Sequence, residues 1–223
     1  NVFMLSGGFC LPLVDAIADS NINYVCNLHE QACSVAADAY GQYTNNLGVC
    51  LVTTGPGGTN ALTGVAAAWL DSTPMLVLSG QVQRKDMING RGTRQIGFQE
   101  LEITRMASPI TKYAVTVTEA KDIRRILEKA VYEAKSGRPG PVWVDIPLDV
   151  QAMFVEENDL VPFIPVDPPL HRRTPIDLLV SDIIEDLNHS ERPILLAGNG
   201  IRFLNLRISL KSYKFQYYLL GKH

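Results

Sequence analysis

The chain is expected to fold as an α/β protein, a doubly wound parallel sheet in three layers with helices on both faces, followed by a linker and an incomplete second α/β domain. Three observations predict this. Short runs that are apolar throughout, rich in Val, Leu and Cys, recur up to about residue 150. Stretches with helical periodicity separate them, and alternation of this kind belongs to strands buried on both faces and joined by helical crossovers. Beyond residue 150 the pattern breaks into proline-rich sequence before one more helix–strand pair.

In order, strands are expected over 24–27, 49–53, 75–79, 112–117 and 142–146, and helices over 12–20, 31–43, 60–70 and 119–136. The last helix is the clearest, because Ile123, Ile126, Leu127, Ala130, Val131 and Ala134 recur at spacings that put them on one face. Residues 1–150 form the first domain. Residues 151–175 hold five of the 13 prolines (Pro162, Pro165, Pro168, Pro169, Pro175) and read as an extended linker. A helix from 176 to 187 and a strand from 193 to 197, ending in Gly198-Asn199-Gly200, open a domain over 176–223 that does not close. The tail from 203 to 223 shows neither turns nor period, and the expectation is a truncated protein. The first residue is Asn rather than Met, so the natural start is expected upstream.

Composition excludes several classes. With 20 Lys+Arg against 23 Asp+Glu, the net charge of −3 supplies no basic field for nucleic acid. No apolar run reaches the roughly 18 residues of a membrane helix, and the first eight residues carry no signal-peptide pattern. Cys10, Cys26, Cys33 and Cys50 form no CxxC pair and no HExxH accompanies them, so no metal site is expected. Their small apolar neighbours suggest buried, reduced thiols in a cytoplasmic protein; a catalytic Cys–His pair is the disfavoured alternative.

Ligands of open parallel sheets gather at the carboxyl ends of strands. Three such ends stand out: His29-Glu30-Gln31, Thr54-Gly55-Pro56-Gly57-Gly58-Thr59-Asn60, and the polar loop from Gly80-Gln81-Val82 to Phe98-Gln99-Glu100. The glycine turn lacks the Lys-Ser/Thr of a P-loop and is not GxGxxG. It either lets backbone lie flat against a ligand ring or is a plain strand-to-helix turn capped by Thr59 or Asn60. Glu30 is either an acid favoured by the helix dipole or a proton relay. His29 is more simply a turn residue than a catalyst.

Together, HEQ, VTTGPGGTN, AWLDSTPMLVLSGQV, FQE, ITKYAV and GRPGPVWVDIPLDVQ, in this order, resemble the acetolactate synthase-like group of thiamine-diphosphate enzymes. The resemblance covers roughly residues 2–150, the pyrimidine-binding domain, and more weakly 175–202, the start of the central domain. It implies the thiamine-diphosphate-binding fold and a reaction in which a 2-keto acid such as pyruvate is decarboxylated and its two-carbon unit joined to a second carbonyl compound. Glu30 then bonds the pyrimidine nitrogen N1′. Thr53, Pro56 and Asn60 line the pyrimidine pocket, Gln99 faces the reacting centre and Phe98 the substrate. Gly7 and Gly8 match a glycine loop beside the cofactor in the partner's half of the site. A homodimer or tetramer with the site at the subunit interface is implied. Lys112 matches a family lysine, for which a role at the site and a surface or packing role are both open, and Asp71 is expected to cap or fix the turn before Pro74.

Two departures are visible. The stretch from Gln81 to Phe98 looks longer than in biosynthetic acetolactate synthases and carries Arg84, Lys85, Arg91 and Arg94. It is either an anion clamp or a solvated basic loop, which leaves open a different acceptor such as a keto sugar. The family's Gly-Asp-Gly segment for diphosphate and Mg²⁺ has no counterpart, since Gly198-Asn199-Gly200 lacks the Asp. FAD, built in the family mainly on the central domain, is possible only in a full-length parent. The chain alone is therefore expected to be inactive, a half-site fragment of an enzyme.

Overall fold

The computed structural model describes residues 1–165, 176–197 and 216–219. The chain divides into two compact units, Asn1–Pro165 and Val166–His223.

The first unit holds six strands: β1 (Val2–Met4), β2 (Tyr24–Cys26), β3 (Gly48–Val52), β4 (Met75–Gln81), β5 (Tyr113–Thr116) and β6 (Pro141–Pro147). They pair in the order β2-β1-β3-β4-β6-β5, every neighbour parallel. The helices are α1 (Leu11–Ala18), α2 (Glu30–Thr44), α3 (Pro56–Asp71), α4 (Ile103–Ala107), α5 (Ile123–Lys135) and α6 (Leu148–Gln151). Side chains alternate across the sheet. Met75, Val77 and Trp143 pack with Ala37 of α2 and Ala61, Val65 and Ala68 of α3 on one face. Leu76, Val142 and Val144 meet Ile126, Ala130 and Ala134 of α5 on the other, where Ile17 of α1 joins Val2, Met4 and Leu51. Three layers result, as expected from strands without a polar face.

Helices α2 and α3 cross closely because Gly64 has no side chain: a β-carbon there would lie 2.4 Å from Ser34 Oγ. Strand β1 is absent from the expected strands, yet it lies between β2 and β3 and pairs with both. Helix α3 starts at Pro56 rather than residue 60. Pro suits the first helical turn, and the glycines behind it serve close packing, with a β-carbon on Gly58 falling 2.9 Å from Ile103.

Residues 151–165, expected as linker, lie within the first unit. Phe163 N–H donates to the Glu128 carboxylate at 2.7 Å, and its ring lies 5.6 Å from that of Tyr132. In the second unit, helix α7 (Ile176–His189) precedes β7 (Ile194–Ala197), as expected. The tail, read as patternless, supplies a strand: β8 (Gln216–Leu219) pairs parallel with β7. Residues 166–175 and the Gly198-Asn199-Gly200 turn lie outside the described residues. No helix among the described residues is long and apolar enough to cross a membrane.

Candidate functional site

The strand order reverses between β1 and β3. From β1 the chain goes to α1 on one face, and from β3 to α3 on the other, so a crevice opens at their carboxyl ends, the usual place for a ligand in such a sheet. Gly7 and Gly8 leave β1 here, Glu30 follows β2, and the 53–60 turn follows β3.

Glu30 is the first residue of α2. His29 caps that helix, its Nδ1 accepting from the Gln31 N–H at 3.1 Å, which accounts for a histidine at this turn. The dipole accounts for an acid at this position but not for its partner. Asn60, on α3, donates Nδ2–H to Glu30 Oε2 at 3.0 Å. The second oxygen, Oε1, faces Gly57, where a β-carbon would stand 3.6 Å away. A half-buried carboxylate is thus fixed through one oxygen, with the other facing the backbone of Gly57.

Thr53 ties the two sides of the crevice. Its Oγ1 accepts from Phe9 N–H at 3.3 Å, and its methyl group fills the space that β-carbons on Gly7 (2.5 Å) and Gly57 (2.8 Å) would need. Gly8 is open, with nothing within 4 Å of a β-carbon. The helix cap after the turn is Gly55, and neither Thr59 nor Asn60 serves as one. Gly55 has φ +61°, a conformation that favours glycine, and a β-carbon there would fall 2.2 Å from the Gln99 carbonyl oxygen. Gln99 has φ +59°. The glycine turn and the Phe98-Gln99-Glu100 segment therefore meet backbone to backbone. The Gln99 side chain is exposed and Phe98 is 72% exposed.

Three buried polar residues inside the quoted motifs organise these loops, and sequence reasoning assigned them no role. Glu100, 3% exposed, accepts from the backbone N–H of Ile88, Ile96 and Gly97, so one carboxylate closes both ends of the 88–97 excursion. Gln81 accepts from Thr54 Oγ1–H at 2.7 Å and donates Nε2–H to Leu101 O and to Asp145 Oδ2, each at 3.0 Å. Asp145 also accepts from Ser79 Oγ–H at 2.5 Å, and Ser79 in turn accepts from Trp143 Nε1–H at 2.8 Å. Burial pushes the Asp145 carboxyl up to about 7, against hydrogen bonds from Ser79, Gln81 and Thr116 that hold it down. The only hint in the sequence was a Gln and an Asp within otherwise apolar strands. Beside this network lies a cavity of about 400 Å³ lined by Gln81, Arg84, Glu100, Leu101, Thr116 and Asp145 among others.

Other expectations are settled locally. Arg84 is no free clamp: its Nε donates to Asp149 at 2.7 Å and its Nη1 to Thr118 O at 2.7 Å. Lys85, Arg91 and Arg94 are exposed, as a solvated basic loop requires. Lys112 donates to the carbonyls of Glu133 and, at 2.6 Å, Ser136, capping the end of α5; burial pushes its pKa down. Asp71 accepts from Gln42 Nε2–H at 3.2 Å and so joins α3 to α2, while the following turn is held by Arg138, which donates to Ser72 Oγ. Cys10, Cys33 and Cys50 are buried and free, whereas Cys26 is free but exposed on the edge strand.

Residues 1–106 match the model of the thiamine pyrophosphate enzyme N-terminal TPP binding domain. The chain is 39% identical over 207 residues to an acetolactate synthase large subunit from Lactococcus lactis, covering 91% of this chain and 34% of the relative. It is 40% identical over 210 residues to the large subunit from Parasynechococcus marenigrum, with 89% and 32% covered. To acetolactate synthase 2, chloroplastic, of Nicotiana tabacum it is 36% identical over 205 residues, with 90% and 30% covered. The chain thus spans about a third of the length of the curated relatives it matches.

Proposed function

We propose that this chain, whose residues 1–106 belong to the thiamine pyrophosphate enzyme N-terminal domain family, contributes the aminopyrimidine half of a cofactor site. The enzyme so formed is an acetolactate synthase-like carboligase that decarboxylates a 2-keto acid such as pyruvate and joins the two-carbon unit to a second carbonyl compound. One observation carries this reading: Asn60 fixes Oε2 of Glu30 while Oε1 faces the glycine turn at Gly57. That arrangement suits a flat heteroaromatic ring with a basic nitrogen.

The residues present fit such a group. A planar ring laid on the turn meets Gly57 and the fixed ring of Pro56, where a side chain at 57 would crowd the Thr53 methyl group and sit beside the Glu30 oxygen. Thr53 forms the floor between Gly7 and Gly57. When bound, thiamine diphosphate supplies a nucleophilic carbon and takes up the electron pair left behind by carbon dioxide. Glu30 holds a hydrogen bond at the ring nitrogen and so sets the protonation of the ring's amino group. Asn60 keeps the carboxylate in place through that proton movement. Gln99 and Phe98, presented on the segment that abuts Gly55, face the substrate. No residue of this chain is assigned to the diphosphate, to Mg²⁺ or to a flavin.

A second copy of the enzyme completes the site in this reading, as a homodimer or tetramer. The fully exposed Leu28 and the 72% exposed Phe98 sit on the very loops that carry Glu30 and Gln99, and apolar groups so placed seek a covering surface. Free thiols throughout suit a reducing compartment such as the cytoplasm.

The test is Glu30→Gln in the protein that carries this chain. Turnover of pyruvate is expected to fall by roughly 10²–10⁴-fold, the usual contribution of a positioned acid or base, with the melting temperature unchanged. Near-normal turnover contradicts the assignment.

A further inference from the structure

We propose that Gln81 is a positioning residue for the cofactor site: its single buried carboxamide keeps the glycine turn and the Phe98-Gln99-Glu100 segment in register with each other. The inference rests on the proposed function for its meaning, but its geometry stands alone.

The two segments come from distant parts of the chain, 53–60 after β3 and 98–101 ahead of α4. Where they meet, at Gly55 and Gln99, the contact is one of shape only: Gly55 leaves no room for a side chain below the Gln99 carbonyl. Shape contacts alone permit sliding. Each segment is separately tied to Gln81, the turn through Thr54 Oγ1–H donating to Oε1 and the other segment through Leu101 O accepting from Nε2–H. Gln81 and Thr54 are each 1% exposed and the bond between them is buried, so its loss leaves a buried polar group without its partner.

The carboxamide itself is held one way round. Its nitrogen faces a carbonyl and the Asp145 carboxylate, and its oxygen faces the Val82 N–H at 2.9 Å and a hydroxyl. A rotated amide would set its oxygen against the Leu101 carbonyl and its nitrogen against the Val82 N–H. Asp145 is oriented in turn by Ser79 and, through it, by Trp143. The chain of bonds thus runs from the rigid centre of the sheet to the two loops, with Gln81 at the branch.

This predicts coupling across the crevice. Thr54→Val deletes the turn's tie while keeping size and shape. Backbone hydrogen exchange is then expected to speed up by roughly tenfold, the worth of one buried hydrogen bond, both at Gly57, whose N–H bonds Thr54 O, and across the crevice at Glu100 and Ile103. Gln81→Met should give the same pattern, and after it Thr54→Val should add nothing further. Ile126→Val, in the core on the opposite face of the sheet, serves as the control for general loosening and should leave the difference between these loops and the rest of the sheet unchanged. An effect of Thr54→Val confined to residues 53–58, or strict additivity with Gln81→Met, overturns the proposal. The readout needs no cofactor. Failure of the unsubstituted protein to bind thiamine diphosphate counts against the proposed function and leaves the exchange result to decide this inference.

Discussion

Asp145 offers a stability measurement whose size follows from its surroundings. The carboxyl is fully buried and titrates at about 7 in the folded chain against 3.8 when exposed. The native state therefore binds more protons than the unfolded state between these values. Stability contributed by the protonated form is complete below the lower value and is lost as pH rises through about 7. Between about pH 5 and about pH 8 the linkage relation gives a loss of roughly 2–3 kcal/mol from this one group. Asp145→Asn removes the titration but not the volume. It also carries a constant penalty, because an amide nitrogen must face at least one of the donors Ser79, Gln81 and Thr116. Urea unfolding of both proteins at the two pH values separates the terms: the constant cost shifts both measurements equally, and only the titration changes their difference. The stability of the unsubstituted chain relative to the variant should fall by roughly 2–3 kcal/mol as the pH is raised. A difference that is independent of pH, or that grows in the opposite direction, refutes the view that burial dominates over the three hydrogen bonds.

Two other substitutions test the local framework. Glu100→Ala releases the backbone N–H groups of Ile88, Ile96 and Gly97, so trypsin should cut after Arg91 or Arg94 at least several-fold faster, as is usual for an exposed loop freed from its anchor; unchanged cleavage means that the excursion is held by something else. Lys112→Met removes the cap on α5 and should cost about 1–2 kcal/mol in unfolding free energy while leaving cofactor affinity intact. A loss of affinity would move Lys112 into the site.

Much of the fold was readable in the sequence because its strands are buried on both faces. Runs such as Val49–Val52 and Met75–Leu78 have no polar alternation, and the stripe on α5 has one period throughout. Strand β1 escaped because its place mid-sheet is set by partners, not by its three residues. The start of α3 escaped because Gly57 and Gly58, ordinarily marks of a turn, are helical here so that Thr53, Ile103 and Trp143 can approach. At the site, Glu30, Asn60, Thr53 and Gln99 were marked by motif. What joins them was not: the bond from Asn60 to Glu30 spans 30 positions and the one from Gln81 to Asp145 spans 64. A spacing so long leaves no local pattern. Arg84 shows the converse, since a cationic loop invites an anionic ligand until Asp149, 65 positions on, is found to satisfy it.

The most direct measurement is a structure of the protein that carries this chain, soaked or grown with thiamine diphosphate and Mg²⁺. The ring nitrogen should stand at a hydrogen-bonding distance of about 2.6–3.0 Å from Oε1 of Glu30, with the ring flat on Gly57 and Asn60 still on the other oxygen. A ring seated in the cavity beside Asp145, or bound in the crevice without contact to Glu30, contradicts the central claim.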